Sequence, residues 1–452
     1  MSEDTIPAND TRDAYVAEFG RLAANRRPPD SDWLRSVQTL AIEQFQSVGF
    51  PSARDERWRF TNLKPLVERR FGLGNGQRAG VSQADLNRHP LVGAIQQCMV
   101  FVNGRYDPEL SSVAGLPEGV VTLMIPAAVQ SGINVVERHF GRVALVEENP
   151  FTALNTAFFA DGALLWVPEG VVLEEPVQLL YVTDATAAGT VMHPRTLVVV
   201  GQGSALTVAI GHVGLAETEY WSNAVTELVV GENACARLLH VQLDSDSAFH
   251  TSTTCSVQAR DSAYSFTTVA LGGALVRHDV TASLDGTGAE CTLHGLTQVR
   301  GAQHIDHHTT IVHERPHCTS REHFNGIFDG RARGVFTGRV VVRKGAQQTD
   351  AKQTNRNLLL AETARADSQP QLEIHADDVK CTHGATVGPI DEKAMFYLRS
   401  RGLPADVARN MLTYGFGVEI LRQITVPELR DRLDKLLHAR LEEGSRGRQG
   451  AE

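Results

Sequence analysis

The sequence predicts a mainly β protein with small helical regions at both ends. Three observations carry that reading. From about Met99 to Gly388 the chain runs in short β-prone stretches broken by Gly, Asp, Asn and Ser. The breaks recur at intervals of roughly 25 to 30 residues, the range of a repeat architecture. Helical spacing of apolar residues is confined to the segment before about Leu66 and to the segment after Pro389. The expected division is a helical region with its linker over 1–95, a β core over 96–388 and a helical region over 389–452.

In the first region Trp33, Val37, Leu40, Ala41, Gln44 and Phe45 fall at helical spacing, with Pro28, Pro29 and Pro51 as breaks. The stretch GLGNGQRAG, Gly72 to Gly80, reads as a linker or loop. In the β region Leu197–Ile210, Glu227–Leu243, Cys255–Leu271 and Val280–Leu296 share one plan of strand, tight polar turn, strand. A β-helix with stacked rungs and a β-sandwich with Greek-key connections both fit that plan. Past Pro389, Asp391 can cap a helix that stops at Gly402, just before Pro404. Thr425 and Glu428 form a capping-box pattern around Pro427, and Leu429, Leu433, Leu436, Leu437 and Leu441 make one apolar stripe. The closing EEGSRGRQGAE reads as frayed.

Composition narrows the function. A net charge of −10, from 43 basic and 53 acidic side chains with no basic block, argues against nucleic acid as the main partner. The six cysteines show no CxxC pairing, which points to a reducing cytoplasm rather than a disulfide framework. The acidic N-terminal stretch carries no apolar signal core, and no run of about 18 apolar residues exists, so neither secretion nor a membrane span is expected.

Several motifs call for weighing. HERPH, His313 to His317, matches the HExxH zinc-protease pattern, but Pro316 sits inside the helical turn that pattern needs, and the preceding residues read as strand. His294, His304, His307, His308, His313, His317 and His323 with Cys318 form a dense cluster whose expected role is stacking along the rungs, since no pair has a recognised ligand spacing. No GxxxxGK[ST] cradle occurs, Gly201-Gln202-Gly203 lacks the third glycine of a dinucleotide fingerprint, and no GxSxG elbow occurs. The most chemically pointed stretch is ADDVKCTHGATVG, Ala376 to Gly388. In a strand, Cys381 and His383 face the same way, and a thiol beside an imidazole suits iron or zinc. Two ligands do not close a tetrahedral site, so any metal there borrows ligands from another part or another chain. The plainer reading of Cys381 is a small buried hydrophobe.

That stretch resembles the SufD family, together with RGVFTGRVVV (Arg333 to Val342), QQTDAKQTNRNLLL (Gln347 to Leu360), QLEIHADDVK and, upstream, RWRFTNLKPL (Arg57 to Leu66). The resemblance is specific from about Gln298 to Gly417. It implies a right-handed parallel β-helix core and a non-catalytic scaffold of the SUF iron–sulfur cluster assembly complex. The paralogous SufB family carries Glu after the matching His, whereas Gly384 follows His383 here, which favours SufD over a SufB-type scaffold. The implied partners are a SufB-like scaffold and the ABC-type ATPase SufC, which would hydrolyse the ATP and dock on the C-terminal helices; Phe396, Tyr397, Arg399, Met411 and Phe416 are the candidate contacts. In the family the His matching His383 lies at the SufB–SufD interface, which makes His383 a candidate shared metal ligand and Cys381 its neighbour. No cofactor is expected to stay on the isolated chain; an iron–sulfur cluster would be transient in the complex. Flavin binding and a homodimer of the chain alone stay open. A β-helical enzyme acting on polysaccharide is the alternative class, and the 6% aromatic content speaks against its substrate groove.

Overall fold

A computed structural model of the chain describes residues 8–25, 31–74 and 80–449, so part of the Gly-rich bridge lies outside the described residues. Two sheets, one of eleven strands and one of ten, face each other. Successive strands alternate between them: Trp221–Val230 joins the first sheet, Cys235–Leu243 the second, Phe249–Gln258 the first again. Each ladder strand pairs in parallel with the strand one rung away, as Trp221 with Phe249 and Phe249 with Leu275. That topology is a parallel β-solenoid and excludes the Greek-key sandwich, which requires antiparallel neighbours. Among the described residues, antiparallel strand pairs occur only where the solenoid begins, between Gln97–Val102 and Arg105–Tyr106 and between Val121–Met124 and Gly162–Val167, with an isolated antiparallel bridge from Cys98 to Ser112.

The turn chemistry explains the repeat. Gly203, Asn233, Asp261, Gly288, His317 and Gln348 all take positive φ at the same corner of successive rungs. The N–H of each donates to a carbonyl of the next rung, as Asn233 to Arg260 at 2.9 Å and His317 to Gln347 at 2.9 Å. Gly, Asn and Asp are the residues that tolerate this backbone. HERPH therefore lies on a strand end and a turn: His313 closes the strand His304–His313, and His317 holds the corner position.

Side chains alternate along each strand between the lumen and an outer face. In the early rungs the lumen holds the buried apolar residues Leu206, Val208, Leu228, Leu238, Phe266 and Leu293 alongside the buried His212, His240 and His250. N-terminal helices cover the outer face of the first sheet, where Phe45, Trp58 and Phe151 pack over the in-register column Trp221, Phe249 and Leu275. C-terminal helices cover the outer face of the second, where Leu429, Leu433, Leu437 and Leu441 meet Leu296, Ile327 and Leu358. Each such leucine stabilises the fold by roughly 1.5–3 kcal/mol, so this tail is bound into the solenoid's packing instead of standing apart.

Three features depart from the sequence reading. The segment 96–388 is not β throughout: helices Ile125–Gln130, Asn134–His139 and Pro150–Phe158 lie within it. Every residue of Pro150–Phe158 beyond the proline is buried, which erases the apolar–polar contrast that helical periodicity needs. The buried Glu227, paired with the buried Arg195, accepts from the N–H groups of Gly141, Val143 and Ala144 at 2.9–3.0 Å and so pins this insertion to the sheet. The last helix opens at Pro427, which puts Val426 rather than Thr425 before its first turn, and it continues to Gln449 where fraying was expected.

Candidate functional site

The site begins with an unfinished rung. Arg365–Ile374 ends the first sheet and Val379–Gly388 ends the second, so two ten-residue edge strands stand side by side with no neighbouring strand beyond them among the described residues. A free edge presents unpaired N–H and C=O groups and is a template for pairing with another chain. The C-terminal helices do not cover it, because their leucines lie along the outer face of the second sheet. Solenoid ends otherwise need a cap.

Register places Cys381 and His383 on this rung. Cys381 pairs with Ala351 and His383 with Gln353, which pairs in turn with Glu322. Both residues thus continue lumen-facing columns to the open end. Cys381 is half-buried against the cluster of Val340, Val342, Ala346 and Ala351, and burial pushes its thiol above the ordinary range. His383 is exposed. Gly384 has open space around its missing Cβ, so crowding does not demand glycine there. The last lumen layers are polar: Gln353 donates to Glu322 at 2.6 Å, Asn357 to Asn355 at 2.6 Å, and Ser368 to Asn355 at 2.7 Å across the two sheets. Burial raises the Glu322 carboxyl to about 7. Outside the lumen, Arg333 pairs with Asp367 and Arg339 with Glu373, stapling the edge strand Arg365–Ile374 to its neighbour.

Comparison with known proteins agrees with this architecture. A model of the SufBD core domain of SUF-system iron–sulfur cluster assembly matches residues 181–416, and a model of the SufBD N-terminal region matches residues 10–179. The chain belongs to the SufBD family. It is 34% identical over 408 residues to an iron–sulfur cluster assembly SufBD family protein of Synechocystis, covering 88% of this chain and 89% of the relative. It is 28% identical to the iron–sulfur cluster assembly protein SufD of Escherichia coli, covering 90% and 92%, and 25% identical to SufD of Bacillus subtilis, covering 90% and 94%. Within the SufBD family it is SufD-type, a scaffold subunit of SUF iron–sulfur cluster assembly.

The candidate docking residues of this SufBD chain separate into two groups. Phe396, Tyr397 and Met411 are 75%, 57% and 50% exposed, and Arg399 is exposed on the same helix as the first two. Phe416 is committed inside the chain: it is half-buried, Arg356 lies over its ring at 5.1 Å, and its carbonyl accepts from Asn325. Among the described residues no helix is long and apolar enough to cross a membrane.

The seven-histidine cluster is dispersed by the fold. His307 and His313 face the lumen, bonded to Thr297 at 2.8 Å and Ser320 at 2.9 Å. His304 and His308 face outward, toward Thr61 and Arg277. His294 and His323 are paired in register under the C-terminal helices. Burial pushes His294, His307, His308 and His313 down to about 4, so they are neutral at physiological pH. A different set of histidines forms a continuous row of rings with aromatic residues: Tyr181, His212, His240, His278, His307, Phe324 and Phe336, at centroid separations of 5.0–5.3 Å. Only His307 of these imidazoles belonged to the sequence cluster. Histidines recurring at about one rung's spacing were the available signal.

Proposed function

We propose that this chain is the non-catalytic half of a scaffold pair: its open rung receives a SufB-like chain, an ABC-type ATPase of the SufC kind docks on the C-terminal helices, and the nascent iron–sulfur cluster is built at the shared edge. The single observation that supports this most is the pair of ten-residue strands that end both sheets together, without a further strand among the described residues. A second solenoid with a matching end would continue both sheets and satisfy their edge hydrogen bonds. His383 stands on that edge and can offer one imidazole nitrogen to iron held jointly with the partner. Cys381 serves packing first, because its thiol is half-buried and held protonated by burial. Exposed Phe396, Tyr397 and Met411 offer the ATPase an aromatic and methionine surface flanked by Arg399. The cluster is cargo that does not stay on the open rung of the isolated chain, and the complex works in the cytoplasm.

The test is reconstitution with a SufB-like chain and a SufC-type ATPase. His383→Ala is expected to leave assembly intact and lower cluster yield, read by visible absorbance and by activation of an iron–sulfur enzyme. Cys381→Ser is expected to do less. Wild-type yield from the His383→Ala complex would remove His383 from the mechanism.

A further inference from the structure

We propose that the lumen holds a transition-metal cation site made by His212, His240 and His250, separate from the open rung. The three residues come from strands Ala205–Gly214, Cys235–Leu243 and Phe249–Gln258, so the site spans both sheets and three successive rungs. One ligand atom of each lies within 4.8 Å of the others. Three nitrogens around a tetrahedral zinc sit roughly 3.4 Å apart, from Zn–N distances of about 2.0–2.1 Å, so small side-chain rotations close the set. All three side chains are buried, at 3%, 3% and 0% exposure.

Among the described residues, what sets this trio apart from its neighbour His278 is the mutual proximity of its ligand atoms. His278 stacks on His307 with 16° between their planes and is inclined to His240 and His250 at 79° and 48°. His212, His240 and His250 are mutually inclined by 49°, 79° and 62°, with centroids 4.8–6.1 Å apart. Both ring nitrogens of His250 are fully buried and neither makes a hydrogen bond, and such groups cost stability unless something else binds them.

Behind His250 stands a buried carboxylate within reach of its ring. Its Nδ1 lies 2.9 Å from Oδ2 of the buried Asp244, outside hydrogen-bonding alignment, and that carboxylate accepts from Gln242 at 2.8 Å and from the hydroxyl of Tyr220 at 2.8 Å. A carboxylate behind a histidine fixes the ring's tautomer and orientation and strengthens its other nitrogen as a ligand. The carboxylate also brings a buried negative charge that a cation offsets. Imidazole ligands select zinc, ferrous iron, cobalt, nickel or copper over magnesium and calcium. Both sheets enclose the trio, so loading accompanies the closing of the rungs as the chain folds.

The experiment uses the full chain, unfolded with a chelator and refolded with either zinc or cobalt(II) alone, then desalted. Wild type is expected to retain close to one equivalent, with a cobalt spectrum of tetrahedral nitrogen ligation and a thermal midpoint above that of the metal-free protein. His240→Gln and His250→Gln are expected to retain at least tenfold less. His307→Gln, in the same row outside the trio, and His383→Ala, at the open rung, are expected to retain as much as wild type. Loss of metal in His383→Ala with retention in His240→Gln would place the ion at the open rung and overturn the site. No retained metal in refolded wild type, or equal retention in the trio variants, would also overturn it. Should the trio variants fail to refold, the wild-type cobalt spectrum decides, since that of hydrated cobalt contradicts the proposal.

Discussion

Glu322 gives the sharpest reading of how the lumen's polarity is tolerated. Its carboxyl is fully enclosed, with one oxygen accepting from Gln353 and the other without a partner. Burial raises it from the ordinary 4.5 to about 7. The folded chain therefore holds this proton more tightly than the unfolded chain. Its stabilising effect is fully present below about pH 4.5 and is lost as pH rises through about 7. At about 1.4 kcal/mol per pH unit, the full loss is about 3 kcal/mol. Glu322→Gln cannot ionise, keeps an acceptor for Gln353 and preserves the volume. Chemical denaturation of both proteins at about pH 5 and about pH 8 is the assay. The variant should gain on wild type by roughly 2–3 kcal/mol between the two conditions. The same stability difference at both pH values would refute the claim that Glu322 is ionised against its surroundings.

The buried histidines act with the opposite sign. His313, down at about 4, favours folding above the unfolded value of 6.5 and is lost as a stabiliser when pH falls toward 4, so His313→Gln should flatten the acid side of the stability profile measured by denaturant midpoint. Leu437→Ala, opening a gap against the solenoid's outer face, should cost about 3 kcal/mol in denaturant unfolding; a loss under about 1 kcal/mol would mean the tail packs loosely. The Phe396→Ala, Tyr397→Ala double variant should change stability by about 0.5 kcal/mol or less, since both rings are exposed, while weakening ATPase binding in titration calorimetry; unchanged affinity would move the dock elsewhere.

Much of the fold was legible because each rung repeats one local problem. The corner that needs positive φ recruits Gly203, Asn233, Asp261 and Gly288, and those residues punctuate the sequence at the rung period. His317 and Gln348 hold the same corner without the usual residue types, which is why HERPH resembled a motif and turned out to be a turn. Cys381 and His383 were visible through the two-residue period of a strand. Their position on an open end was not, since that follows from where the helices pack. The His212, His240, His250 trio stayed hidden because its members meet across two sheets, a proximity that no spacing within one strand encodes. The helix Pro150–Phe158 was hidden by its own complete burial.

The central claim is that the last rung is a docking edge. Amide hydrogen exchange of the full chain, alone and with a SufB-like partner, tests it at the residues concerned. Strands Arg365–Ile374 and Val379–Gly388 should exchange readily alone and become protected together on complex formation, as their edge groups gain partners. A complex that forms while both strands keep the exchange of the free chain would contradict the account.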